Sequence, residues 1–411
     1  MKIFGTLLSF IFVLCISSCK DEVVRTRTYH RLTPFYLSVS DLRKQAISMD
    51  KPHEMSVPGK IYIYGNYLFI NEVTKGIHVI DNTDPASPRF LNFINIPGNI
   101  DLAVNTNILY ADSYVDLLAF DISNPTKISL VNRVENVFDH QYINKEKGLI
   151  QGYKDTIVTE VITHQITDGA KGEPMFFDSF GASAAFASQS YGTGGSMARF
   201  TLMNSSLYTV TTNSLKLFNV SSPKAPVYIN TINLGGGIET IFPYQNKLFI
   251  GSTTGMHIYN AIEPSKPLKL ATYQHLTSCD PVIVQGKYAY VTLRSGNFCR
   301  LGTNVLDVID IEDPTKPVLV SSFPMLNPHG LTISDNNLFI CEGKNGLKAF
   351  NSSDPKTIGQ NQLSFIQNLK ATDVIAGPKS LIVTGADGIY QYDYTNASNL
   401  KLLSHLDLTA N

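Results

Sequence analysis

The sequence predicts an all-β chain, a seven-bladed β-propeller of four-stranded antiparallel blades with one long insertion after the second blade. Three observations predict it. Short apolar runs rich in Val, Ile, Phe and Tyr are punctuated by Gly, Asn and Pro turns throughout. One sentence recurs, first as Gly76-Ile77-His78-Val79-Ile80-Asp81-Asn82-Thr83-Asp84-Pro85-Ala86-Ser87-Pro88, an apolar strand followed by a polar turn with two prolines. The strand-ending residues Asp81, Asp121, Asn219, Asn260, Asp310, Asn351 and Asp393 are mostly spaced by 40 to 42 residues, with gaps of 98 and 50 after Asp121 and Asn260. Units of that period, each too small to bury both of its faces alone, close around an axis as blades.

The chain opens on a targeting signal, residues 1–18. Lys2 precedes an apolar run from Ile3 to Ile16 that is too short to span a membrane comfortably, and Ser17-Ser18-Cys19 follows. Small residues directly before a cysteine resemble the lipobox of bacterial lipoproteins. That resemblance implies cleavage before Cys19 and lipidation of Cys19, hence a stable lipid anchor. Lys20-Asp21-Glu22 resembles the surface-export signal of Bacteroidetes lipoproteins, which implies an outer-membrane protein exposed on the cell surface. Residues 19–33 read as a tether, because 22–31 shows no useful periodicity. Residues 34–56 read as an N-terminal extension packed on the propeller, with a short strand and a helical turn or two.

The propeller itself spans 57–408. Unit one places strands at 60–64, 67–71, 77–80 and 89–96. Unit two places them at 102–104, 108–111, 117–120 and 128–134. The interruption at about 135–195 follows, with an extended arm or strand pair at 157–166 and a Gly-, Ala- and Ser-rich loop. Its aromatics Tyr142, Tyr153, Phe176, Phe177, Phe180 and Tyr191 either form a binding surface or tuck the insertion against the propeller. Units three to seven start near Met197, Ile238, Asp280, Pro328 and Thr372, and the seventh turn lacks proline. In each turn the terminal Asp or Asn accepts hydrogen bonds from amides ahead, and proline sits outside the ladder.

Val305-Leu306-Asp307-Val308-Ile309-Asp310-Ile311 with Asp313-Pro314 and Pro317, and again Val79-Ile80-Asp81, resemble the LVIVD-repeat family. The resemblance implies a β-propeller of the secreted or surface kind and brings no catalytic residues.

The formal net charge of -1 argues against a nucleic-acid partner, which requires a basic footprint. Candidate ligand-binding residues come from alignment of the blade starts. Lys60, Asp101, Arg199, Glu239, Asp280, His329 and Asp373 stand eight or nine residues before Leu68, Leu109, Leu207, Leu248, Tyr288, Leu338 and Leu381 of the second strands, respectively. They therefore approach the central channel at one mouth. Such a ring builds a ligand or peptide site, or it is the ordinary polar lining of a channel. No calcium-loop or zinc spacing marks a metal, and no cofactor is predicted. No serine sits in a nucleophile elbow, and Gly235-Gly236-Gly237 precedes no helix. Cys279, at the start of an inner strand, and Cys299, in the 295–304 loop, either form a disulfide that an oxidising compartment permits or are two free cysteines, and Cys341 reads as a buried thiol. The functional expectation is a binding or scaffold module for a protein, peptide or glycan. The alternative is a propeller hydrolase or lyase at the charged mouth.

Overall fold

The computed structural model describes residues 23–45, 47–139, 143–144, 146–164, 193–197, 199–275, 281–295 and 303–408. These fall into two compact units: residues 1–45 with 141–183, and residues 46–140 with 184–411.

The larger unit is built from seven sheets, each with a core of four consecutive antiparallel strands. The first sheet is Pro58–Tyr64, Tyr67–Glu72, Gly76–Asp81 and Arg89–Asn95, close to the strands predicted for unit one. The second, Leu102–Asn105, Ile108–Ser113, Asp116–Asp121 and Ser129–Val134, agrees equally well. The innermost strands then begin at Phe200, Ile238, Val282, Leu331 and Ala371 for the remaining sheets. Each innermost strand touches the next, and the short strand Thr193–Gly194 closes the circuit, paired to Pro58–Tyr64 and in contact with Ala371–Ala376. The second and third strands are buried nearly end to end, as in Tyr67–Glu72 and Asp116–Asp121, because neighbouring sheets cover both faces. That is why they read as continuous apolar runs. The fourth strands are half exposed, and every one of them carries a register shift at the same place, for example between Val79 and Ile80 and between Gln391 and Tyr392. Such bulges twist an edge away from stray pairing.

The repeated turn behaves as its residues dictate. The carboxylate or amide oxygen of Asp81, Asp121, Asn219, Asn260, Asp310, Asn351 and Asp393 accepts the backbone N–H two residues on, at 2.8–3.0 Å. The seventh turn keeps this geometry without proline through Asp393 and Asn396. The turn also serves a purpose that the repeat did not announce. Its Pro carbonyl accepts a side-chain hydrogen bond from the preceding sheet: Asn92 to Pro125, Tyr110 to Pro223, Tyr208 to Pro264 and Ser321 to Pro355, at 2.7–3.0 Å. Ser364 donates to Ala397 in the turn without proline, and Ser404 of the last sheet donates to Pro85 of the first. The turns thus tie sheet to sheet around the ring.

Two boundaries differ from expectation. Residues 19–33 were read as a tether, yet from Val23 onward the chain is a strand running to Leu37. It pairs antiparallel with Gly148–His164 of the insertion, from Val23 opposite His164 to Leu37 opposite Leu149. The extended arm expected near 157–166 is the far half of this ribbon, and the short strand expected at 34–39 is its other end. The strand shows no apolar period because polar and apolar side chains are mixed along both of its faces, with Leu32 exposed on one and Phe35 on the other. Of the 34–56 extension, Val39–Lys44 is a helix capped by Ser38, which accepts from the Asp41 N–H. Ser48–Asp50 adds an outer strand to the first sheet, and Met55 is buried with Ile61 and Leu68.

Candidate functional site

The blade-start residues do converge. Lys60 lies on the innermost strand of the first sheet and is 1% exposed, as is Asp101 at the entry to the second sheet. Asp373 is on the innermost strand of the seventh sheet and is buried. Arg199 and Glu239 sit half-buried at the starts of the third and fourth sheets, and His329 half-buried before the sixth. Asp280 lies outside the described residues, as do Cys19, Cys279 and Cys299 with the proposed lipidation and disulfide. Cys341 is a buried free thiol, and burial, then the nearby Asp373 and Glu342, push its pKa well up.

These groups are occupied with each other and with the backbone. Asp101 accepts from the N–H groups of Leu102 at 2.7 Å and Arg199 at 2.9 Å. Asp112, which the blade-start alignment missed, accepts at 2.8–2.9 Å from Asn99 and from the N–H groups of Ile100 and Asp101. Asp373 accepts from Val374 N–H at 3.0 Å. Its carboxylate is walled by glycine: a Cβ on Gly195 would fall 1.9 Å from one oxygen and a Cβ on Gly330 2.2 Å from the other. Any side chain at either position would displace the carboxylate. Ser196 next door accepts from the Leu331 N–H at 2.8 Å, so the chain returning from the insertion is stitched to the sixth and seventh sheets.

Burial dominates the electrostatics. It raises the carboxyls of Asp101 and Asp373 and depresses the Lys60 ammonium, while the Lys60–Asp101 and Lys60–Asp373 attractions oppose it. Burial likewise lifts Asp112 to about 6, against the amides that donate to it. Arg199 feels Asp101, Asp112 and Glu239, and Arg294 feels Glu239. Arg294 follows the second strand of the fifth sheet and was also missed, because the alignment looked only at first strands. The arrangement is a compensated ionic lining with alternating sign, set by the polar ends of the inner strands.

His329 is the one histidine among the blade-start residues. Its Nε2 lies 3.3 Å from the Asn327 side-chain amide. Burial, then the Arg294 charge, lower its pKa to about 3, so the imidazole is neutral in the fold. The unfolded group, near 6.5, takes a proton first, so stability is complete above that pH and falls as pH drops toward about 3. Relative to His329→Asn, the wild type is expected to lose up to about 1.4 kcal/mol per pH unit below the unfolded value. Urea denaturation across that range checks this; parallel curves for the two proteins would contradict it.

Comparison with known proteins follows the same lines. The LVIVD repeat matches residues 59–94, 100–136 and 278–324. The chain carries LVIVD repeats in these three segments and folds as a β-propeller. The LVIVD segments hold the first, second and fifth sheets, including the best motif match at 305–311. Among solved structures, the computationally designed protein Ika8 superposes with a TM-score of 0.55 at 11% identity, covering 88% of this chain and 91% of that one. The periplasmic gluconolactonase PpgL of Pseudomonas aeruginosa gives 0.55 at 12% identity, covering 86% and 97%. A protein from Lactobacillus plantarum gives 0.54 at 11% identity, covering 86% and 97%. At such identities the likeness carries the fold alone. No curated protein sequence matches the chain.

Proposed function

We propose that this LVIVD-repeat protein is a lipid-anchored, extracytoplasmic binding module, and that its docking element is the ribbon formed by Val23–Leu37 and Gly148–His164. One face of that ribbon carries the proposal. Residues directly opposite each other share a face, and side chains alternate along each strand. Leu32 is paired with Asp155, His30 with Ile157 and Pro34 with Tyr153, so Leu32, Tyr153 and Ile157 project to one side. They are 65%, 58% and 68% exposed. The other side is polar at its centre, with Tyr29 and Arg31 both bonded to Glu160, and carries Phe35, 50% exposed, near one end.

A two-stranded ribbon about 50 Å long has no core of its own and is marginal in water. A protein surface laid over Leu32, Tyr153 and Ile157 supplies the missing apolar layer. The axial charges favour the same reading from the other direction. Lys60, Asp101 and Asp373 are buried, whereas a hydrolase or lyase requires an acid and a base presented to substrate. The Cys19 lipidation and surface export expected from the N-terminal residues set the compartment of the proposed partner.

The test is Leu32→Lys combined with Ile157→Lys, which leaves the backbone ladder intact. Cross-linking and co-purification from cell envelopes are expected to recover a specific partner with the wild type and to lose it with the double variant, at unchanged melting temperature. Equal recovery by both proteins would remove the ribbon face as the docking element.

A further inference from the structure

We propose that His53, Glu72 and His78 form a site for a divalent transition-metal cation of the zinc class, which fastens the segment before the first sheet onto that sheet. The three residues come from three places: an irregular stretch, the end of the strand Tyr67–Glu72 and the middle of the strand Gly76–Asp81. They have no motif spacing, so the sequence alone did not flag them. In the fold, their donor atoms lie within 4.8 Å of one another. His78 Nε2 is 2.8 Å and His53 Nε2 3.2 Å from the same Glu72 oxygen, Oε2.

Two imidazoles and one carboxylate oxygen are a ligand set suited to zinc and its neighbours rather than to calcium or magnesium. With metal–ligand bonds of about 2.0–2.1 Å, tetrahedral ligands stand about 3.3 Å apart. The His53 contact to Glu72 is near that spacing, the His78 contact at 2.8 Å has to open by about 0.5 Å, and the three donor atoms, now within 4.8 Å of one another, have to draw together. His53 is free to provide the movement, since its side chain is 44% exposed while Glu72 and His78 are buried.

The carboxylate is already oriented, whereas His78 Nδ1 is buried with no hydrogen-bond partner among the described residues. The second oxygen of Glu72 accepts from Ser56 N–H and Oγ and from Lys75 Nζ at 2.7 Å, which fixes the carboxylate with Oε2 turned toward the histidines. Phe93 packs against both imidazoles, with ring centroids 4.4 Å from His53 and 4.7 Å from His78. Oriented ligands held by such outer partners are what gives a metal site its affinity. Three protein ligands leave a fourth position for water, on the open side at His53. The Lys75 ammonium beside Glu72 weakens the attraction for a cation, so the affinity expected is below that of an all-anionic site. A bound cation would tie His53 to two strands of the first sheet and thereby pin residues 51–56.

The test uses the full chain, stripped with a chelator and titrated with Zn²⁺ alone by calorimetry, with melting temperature followed in parallel. The wild type is expected to bind one equivalent and to melt higher with zinc. His53→Ala, at an exposed position, should melt like the wild type without zinc, bind zinc at least about tenfold more weakly and gain no zinc-dependent stabilisation. His78→Gln, which keeps a hydrogen-bond donor toward Glu72, should behave as His53→Ala does toward zinc. Uptake that is the same in the wild type and His53→Ala, or a wild type that takes up no zinc, would overturn the proposal.

Discussion

Gln391→Leu is expected to lower the stability of the propeller by about 3 kcal/mol. The reason is how the ring closes. The four core strands of each sheet come from one contiguous stretch of chain, so beyond the short Thr193–Gly194 pairing at the innermost edge the last sheet meets the first without a shared strand. Side chains make that junction. Gln391 and Asn82 exchange two amide hydrogen bonds, at 3.0 and 2.7 Å, and Ser380 donates to the same Gln391 oxygen at 2.7 Å. Both amides are buried, Gln391 completely. Lys379 and Ser404 add bonds to the carbonyls of Thr83 and Pro85. Leucine fills most of the glutamine volume but leaves the Asn82 amide and the Ser380 hydroxyl buried without partners, and each orphaned group costs about 1–3 kcal/mol. Chemical denaturation of the purified chain reads the loss. A variant as stable as the wild type would show that apolar packing around Ile61, Ile375 and Ile382 closes the ring unaided.

Lys60→Met is expected to cost up to about 3 kcal/mol near pH 7, where burial leaves the Lys60 ammonium still partly protonated, and clearly less at pH 5. Lys60 is the cation whose charge both Asp101 and Asp373 feel inside the lining. Its removal leaves those carboxyls facing each other without that counter-charge. The pH dependence follows from the direction of their shifts. Burial raises both carboxyls above the ordinary aspartate value, so at pH 5 they are protonated and the missing ammonium matters little. As pH rises through their folded pKa they must ionise in a buried place, and stability is lost on that side. Denaturation at the two pH values measures the difference. A penalty equal at both would contradict the view of Lys60 as the counter-ion of this cluster.

Much of the propeller was legible in the sequence because burial on both sheet faces forces long apolar runs, and because the same Asp or Asn must end the third strand of every sheet. The convergence of Lys60, Asp101, Arg199 and Asp373 was legible for a related reason: residues at one distance from the second strand occupy one height in the ring. Asp112 and Arg294 escaped because they reach the same place from second strands. The ribbon escaped for a physical reason too. Arg25, Arg27 and Arg31 alternate with Thr26 and Thr28 on a strand without a core, and its partner lies more than a hundred residues away in sequence. The cluster of His53, Glu72 and His78 left no trace either, since Glu72 and His78 lie on two neighbouring strands and His53 reaches them from an irregular stretch nineteen residues earlier than Glu72.

The central claim is that binding resides on the ribbon while the axial charges hold the fold. A single capture experiment tests it, comparing the wild type, the Leu32→Lys/Ile157→Lys variant and Glu239→Gln at the charged lining. The account predicts partner capture by the wild type and by Glu239→Gln, with loss confined to the ribbon variant. Capture retained by the ribbon variant and lost by Glu239→Gln would contradict it and return the site to the axis.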